Sequence, residues 1–365
     1  MNEPPSSADL RRPSELLFAD ELAFLRAHDT HRCPPGWRLS PRAVETFVLG
    51  GEVQGREISA KYIGSRRTVQ IAIATLATDR ALMLMGEPGT AKSWLSEHLS
   101  AAISGTSQLL IQGTAGTSEE HVRYGWNYAL LLAEGPSERA LIPSPVMRAM
   151  REGRVVRVEE LTRVPSEVQD ALVTLLSEKS LAITELDTHI PAQRGFGLIA
   201  TANVRDRGVN EMSAALRRRF NTVSLGLPVD LETEVAIVDK RVRELGAQLD
   251  LPTAPPARAL VTRVVQIFQE LRLGRTHDGK RKIQSPAAIL STAEAIDVLQ
   301  SAMSLAGHFG SGNPGDSDVA EAIVSAVVRD DDRDRHTLTE YVDLVLAPRG
   351  AEWRAMTDSL RKALQ

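Results

Sequence analysis

"MGEPGTAKS" at residues 85–93 is preceded by the apolar run "ALMLM" (81–85) and followed by "WLSEHLSAAI" (94–103). Strand, glycine loop and helix in that order are what a P-loop phosphate cradle requires, because backbone N–H groups and the positive end of the helix then surround the phosphates. One position departs from the usual spacing: Ala91 stands where a second glycine normally precedes the lysine. Read as the entry to the helix, Ala91 needs only ordinary helical dihedrals, and Gly86 and Gly89 are the glycines the loop requires. Lys92 then reaches the terminal phosphates and the Ser93 hydroxyl takes magnesium. Glu87, Pro88, Thr90 and Trp94 complete the candidate nucleotide-binding stretch.

Working outward, "GRVVRVEELTR" ends an apolar strand in Glu159 and Glu160. Such a strand delivers two carboxylates to the carboxyl edge of the sheet, where open α/β sheets bind ligands. One carboxylate can hold magnesium through water and the other can polarise an attacking water. The first is Glu159 where aspartate is usual, and one more methylene displaces its oxygens by about 1 Å or more. "FGLIATANVRD" places Asn203 just past another strand, where its amide can orient that water. "SAALRRRF" supplies Arg217, Arg218 and Arg219; an arginine held near the terminal phosphate offsets the charge that develops during transfer, and a basic helix end favoured by the helix dipole is the plainer alternative.

The chain has 365 residues, 42% hydrophobic and 25% charged, which is ordinary for a globular protein long enough for two domains. A formal net charge of −4 argues against a protein that lives on nucleic acid. Cys33 is the single cysteine, which excludes an intrachain disulfide and a multi-cysteine zinc site. The acidic, proline-containing start is unlike a secretory signal, and no apolar run reaches the roughly 18 residues of a membrane span, so a cytoplasmic location is expected.

Apolar runs at 81–85, 108–112, 155–158, 197–202 and 222–227 alternate with segments of helical period, the pattern of a five-stranded parallel sheet with crossover helices. "PSEVQDALVTLLSEK" has its apolar residues on one face, and Ser166 with Gln169 has the spacing of a capping box that starts the helix at Ser166. After Pro228 helical periodicity takes over, with segments at 230–249, 256–274 and 285–309 and a turn-rich break at 310–318. "RDDDRDR" (329–335) reads as a solvated surface. The expected division is an N-terminal extension over 1–41, a nucleotide-binding core over 42–227 and a helical remainder over 228–365.

Together, "GEPGTAKS", "VVRVEELTRVP", "VQDALVTLLSE", "GFGLIATAN" and "ALRRRF" resemble the MoxR group of AAA+ ATPases, in which alanine before the lysine is usual. The resemblance implies an αβα core followed by a helical lid, assembled into a homo-oligomeric, usually hexameric ring that hydrolyses ATP with magnesium and remodels or matures a partner. It implies Walker A residues Gly86, Gly89, Lys92 and Ser93, Walker B residues Glu159 and Glu160, Asn203 as sensor 1, and Arg219 as arginine finger with Arg218 as second choice. A partner bearing a von Willebrand factor A domain is implied as well, with the client unidentified. Residues from about 113 to 142 resemble the helix-two insert of the clade, whose Tyr124, Trp126 and Tyr128 are expected to form a small core. "SLAITELDTHIPAQRGF" resembles the hairpin before sensor 1. The lid departs from the pattern: Ala287 or Ala293 stands where an arginine commonly reaches the γ-phosphate, and nothing in the sequence selects Arg275, Arg281 or Lys282 as a substitute.

Overall fold

Five short runs, the inner three buried along nearly their whole length, pair in parallel at the centre of the computed structural model, which describes residues 11–203, 210–287, 290–328 and 332–365. They are β1 (Ala81–Gly86), β2 (Leu110–Gln112), β3 (Val155–Glu159), β4 (Gly197–Asn203) and β5 (Phe220–Leu225). Their order across the sheet is β5-β1-β4-β3-β2. Alternation along β1 sends Ala81 and Met83 into one apolar core and Leu82 and Leu84 into the other, so the sheet is covered on both sides. Each such buried aliphatic side chain contributes about 1.5–3 kcal/mol. The register sets Gly86, at the end of β1, beside Asn203, at the end of β4. Both chemical stretches therefore emerge at one sheet edge.

The longer helices of this unit are α1 (Ala19–His28), α2 (Pro41–Leu49) and α3 (Arg66–Leu76) ahead of the sheet, and α4 (Lys92–Ser104), α5 (Pro145–Glu152) and α6 (Ser166–Glu178) between its strands. Ser40 and Ser144 cap α2 and α5 by accepting from the N–H groups of Ala43 and Met147. The capping box expected at Ser166 does not form. Pro165 takes the cap position, and the Gln169 amide instead donates to the Val164 carbonyl at 2.8 Å. A proline already fixes the extended dihedral that a cap needs, so the serine moves inside the helix.

Residues ahead of α1 are tied to α4. Arg11 pairs with Glu97 at 2.7 Å, the Ser14 N–H donates to the same carboxylate at 3.1 Å, and the Ser14 hydroxyl meets His98 Nδ1 at 2.6 Å. In the insert, Tyr124–Trp126 pairs antiparallel with Leu141–Pro143. Tyr124 is buried edge-on to Trp126, but with Val122 and Leu141 it joins the apolar core on one face of the sheet and not a small core of the insert's own, and Tyr128 is exposed. Ser180–Ile183 and Thr188–Pro191 form the antiparallel hairpin before β4.

Contacts cluster the described residues before Pro88 with Ala91–Gly226, and Pro88–Thr90 with Leu227–Gln365. The second unit is helical: α7 (Leu231–Gln248), α8 (Arg258–Leu273), α9 (Thr292–Phe309), α10 (Asp316–Val327), α11 (Asp332–Tyr341) and α12 (Ala351–Leu364). The segment expected to be helical from 285 begins only at Thr292, where Ser291 and Glu294 form a capping box. Of "RDDDRDR", residues 329–331 lie outside the described residues. Asp334 is not solvated, as had been expected, but buried, and it accepts the Ala287 N–H at 2.8 Å. Among the described residues, no helix is long and apolar enough to cross a membrane.

Candidate phosphate-binding site

The loop between β1 and α4 turns on two residues in the left-handed region, Gly89 (φ 75°) and Ala91 (φ 61°, ψ 28°). This corrects the expectation that Ala91 adopts helical dihedrals: it caps α4 in the conformation that glycine would take at no steric cost. Gly86, in turn, is not needed for a positive φ; it ends β1 in ordinary strand pairing with Asn203. The Lys92 ammonium is folded back on the loop, donating to the carbonyls of Gly86 at 3.0 Å and Glu87 at 2.7 Å. Burial lowers its pKa, and the carboxylates of Glu159, Glu160 and Glu87 offset part of that fall. Trp94, one position beyond Ser93, donates its indole N–H to the Lys61 carbonyl at 2.7 Å and meets His98 edge-on.

Glu159 is 3% exposed, and its two oxygens have different partners. Oε1 accepts from the Ser96 hydroxyl at 2.6 Å and from Arg157 Nη2 at 2.9 Å. Oε2 accepts from the hydroxyls of Ser93 and Thr201, both at 2.7 Å. Burial pushes its pKa up, but Ser96, Arg157, Ser93 and Thr201 outweigh it, and the carboxyl sits below its ordinary range. Glu160 is less buried. It adopts a left-handed backbone (φ 53°), lets the Thr201 hydroxyl accept its N–H at 3.0 Å, and pairs with Arg163 Nε at 3.0 Å. A hard divalent cation takes oxygen ligands, and a serine hydroxyl bonded directly to an ionised carboxylate is a donor set that fits one.

Sequence reading brought Ser93, Glu159, Glu160, Lys92 and Asn203 to this edge; it missed Ser96, Arg157 and Thr201. The available signal was polar residues at positions whose strand or helix neighbours are apolar. Gly113 was missed for another reason. A side chain there would collide with the Glu160 and Glu159 carbonyls, at 2.5 Å and 2.7 Å from its first carbon, while its N–H donates to the Glu159 carbonyl at 2.7 Å.

The three arginines before β5 separate. Arg219 is held by its own chain, Nε donating to the Ser177 hydroxyl at 2.9 Å and Nη1 to the Ala215 carbonyl at 2.7 Å. Arg217 and Arg218 are exposed. In the helical unit Ala287 and Ala293 are exposed, Arg281 donates to the Leu344 carbonyl, and Arg275 and Lys282 form a bridge between short extended segments.

A parallel sheet of this order, with a phosphate loop after β1 and paired acids at the end of β3, on the far side of the central β4, defines an AAA+ P-loop ATPase. Residues 81–220 match the family described as AAA domain (dynein-related subfamily), and residues 232–364 match the YehL-like AAA+ ATPase C-terminal domain. The chain is 43% identical to the uncharacterized protein YehL of Escherichia coli (strain K12), across 96% of this chain and 97% of that protein. It therefore belongs to the YehL-like family of AAA+ ATPases. The uncharacterized protein SH1500 of Staphylococcus haemolyticus is 28% identical over 46% of this chain and 64% of its own length. The solved structure of NtrX from Brucella abortus in complex with ATP is 14% identical, covers 84% of this chain and 69% of its own, and has a TM-score of 0.47, too loose a likeness to carry argument.

Proposed function

We propose that this chain is an ATP-hydrolysing AAA+ protein of MoxR-like type, acting as a ring of copies, hexameric by analogy with that group, to remodel or mature a partner protein. The observation that carries the reading is the 2.7 Å bond between the hydroxyl that follows Lys92 and the buried carboxylate of Glu159. Two parts of the sequence, 66 residues apart, meet as two hard oxygen donors, the kind a divalent cation takes.

In this reading Lys92 would leave the loop carbonyls for the terminal phosphates of ATP, and Ser93 and Glu159 would hold magnesium. The ion, when bound, neutralises charge on the phosphates. Glu160 swings from Arg163 to accept a proton from the attacking water, and Asn203 holds that water in line. Arg219 of the neighbouring copy, with Arg218 as second choice, meets the charge that develops. The chain divides functionally into an extension (1–41), a core (42–227) carrying the insert (113–142) and a lid (228–365). The partner class expected by resemblance is a protein bearing a von Willebrand factor A domain.

A second reading is favoured by one observation: Glu160 is already engaged by Arg163. Under it the chain is a nucleotide-occupancy switch that hydrolyses slowly. Steady-state turnover of the purified protein against Glu160→Gln separates the two. A fall of about a hundredfold or more supports the hydrolase; a basal rate that Glu160→Gln leaves untouched supports the switch.

A further inference from the structure

Arg157 sits at the middle of β3, a strand whose five residues are all buried. A guanidinium is costly to bury unless its donors are used and its charge is paired. Here the fork is engaged throughout: Nε donates to the Ser96 hydroxyl at 3.0 Å and Nη1 to the Ser107 carbonyl at 3.2 Å. Nη2 donates to the Ser93 carbonyl at 3.2 Å and to Glu159 Oε1 at 2.9 Å. One side chain thus joins the first turn of α4, the segment entering β2 and the carboxylate at the end of its own strand.

The engagement is one-sided at Glu159. Arg157 and Ser96 hold Oε1, whereas Oε2 faces the hydroxyls of Ser93 and Thr201. An unrestrained glutamate carboxylate sweeps a wider arc than an aspartate's, because it has one more rotatable bond. We propose that Arg157 is a positioning residue for the divalent cation: it draws Oε1 into the interface between sheet and helix, so that Oε2 alone is presented beside Ser93. The longer acid and the buried arginine then act as one unit in place of a shorter acid. A partner that orients a metal ligand through its far oxygen is worth about ten- to hundredfold in metal affinity. The inference rests on the nucleotide-and-magnesium reading above.

Calorimetric titration of a non-hydrolysable ATP analogue into the full-length protein, with and without magnesium, tests it. For the wild type the analogue binds more tightly with the ion. Arg157→Met is expected to keep the affinity measured without magnesium and to lose about ten- to hundredfold of the gain that magnesium adds. Arg157→Lys should recover part of that gain, since an ammonium reaches Oε1 but cannot fork. A purely structural arginine would lower the melting temperature and leave the two affinities in their original ratio. A folded Arg157→Met protein that retains the whole magnesium gain overturns the proposal. Should Arg157→Met fail to fold, Arg157→Lys carries the test: a partial gain is the expected result, and a full gain with the fork lost overturns the proposal. Wild-type protein that binds the analogue indifferently to magnesium rejects the cation site alone; wild-type protein that binds no analogue rejects the function proposed above.

Discussion

Glu159 in the first unit and Glu234 and Glu270 in the second are equally buried, at 3%, 0% and 1% exposed, yet their surroundings differ in kind. Glu234 takes Gln269 and Arg272 from α8 and Thr292 from α9 onto its two oxygens. Glu270 takes the Tyr341 hydroxyl at 2.6 Å, Arg349, and the His277 N–H at 2.8 Å. These acids join helices to one another, and their arginines balance charge inside an otherwise apolar bundle. Glu159 also has its arginine, and like Glu270 it turns its second oxygen to a hydroxyl, but two hydroxyls meet it there and one of them comes from the residue after Lys92. A hydroxyl can exchange a carboxylate for a cation; a buried guanidinium cannot. The same burial therefore serves cohesion in the helical unit and, in the proposed reading, leaves a coordination position in the core.

The largest effect expected concerns a charge that is only partly buried. Arg219 gives its hydrogen bonds to a hydroxyl and a carbonyl and, among the described residues, pairs with no carboxylate, so leaving its own chain costs it little. Arg219→Ala should lower turnover by about a thousandfold or more while nucleotide affinity is kept. The same loss from Arg218→Ala, with Arg219→Ala harmless, would move the finger by one residue.

Next comes the cohesion side of the comparison. Glu270→Ala leaves the Arg349 guanidinium, 18% exposed, without its anion. Breaking a buried pair in this way costs about 3–5 kcal/mol. Denaturant unfolding followed by a probe in the helical unit should show that loss, with nucleotide binding by the folded protein unchanged. A neutral result would mean that Tyr341 and water satisfy the site.

Glu159→Gln sharpens the contrast by pH. Because its partners hold the Glu159 pKa below the ordinary value of about 4.5, its contribution to stability is complete above that value and is lost as pH falls through the lower, folded-state value. The wild type should therefore lose stability on acidification through this window faster than Glu159→Gln does. At neutral pH the substitution should cost about 1–3 kcal/mol, the range for weakening hydrogen bonds to a buried charge. Parallel acid profiles for the two proteins would place the ionisation elsewhere.

What could be read beforehand follows from the same physics. The inner strands were legible because a sheet covered on both faces needs uninterrupted apolar runs, and "ALMLM" and "GLIATA" leave little else to be. Lys92, Ser93, Glu159 and Glu160 were legible because they lie next to those runs. Arg157 was visible as a charge inside "VVRV", but its meaning depends on Ser96 and Ser107, which chain order does not bring near it. The start of α9 was misjudged because "SPAAIL" is apolar enough to pass for helix; the Ser291 and Glu294 cap was the better signal. Backbone sign was the least accessible quantity of all, since an alanine in the left-handed region is spelled like any other.

That alanine carries the smallest effect and the cleanest one. Ala91 at φ 61° places its methyl against the following carbonyl, at a cost of about 1–2 kcal/mol relative to glycine. Glycine in turn gives the unfolded chain more freedom, worth about 0.4–1 kcal/mol against folding. The first term exceeds the second, so Ala91→Gly should stabilise the nucleotide-free protein by about 0.5–1 kcal/mol, or roughly 1–4 °C in melting temperature. Helix propensity does not reverse the sign, because Ala91 is the cap of α4 and glycine is accepted there. A lower melting temperature for Ala91→Gly would show that the alanine methyl packs well enough to outweigh its dihedral. The loop would then owe its shape to that contact, and the second glycine of the usual pattern would be no loss here.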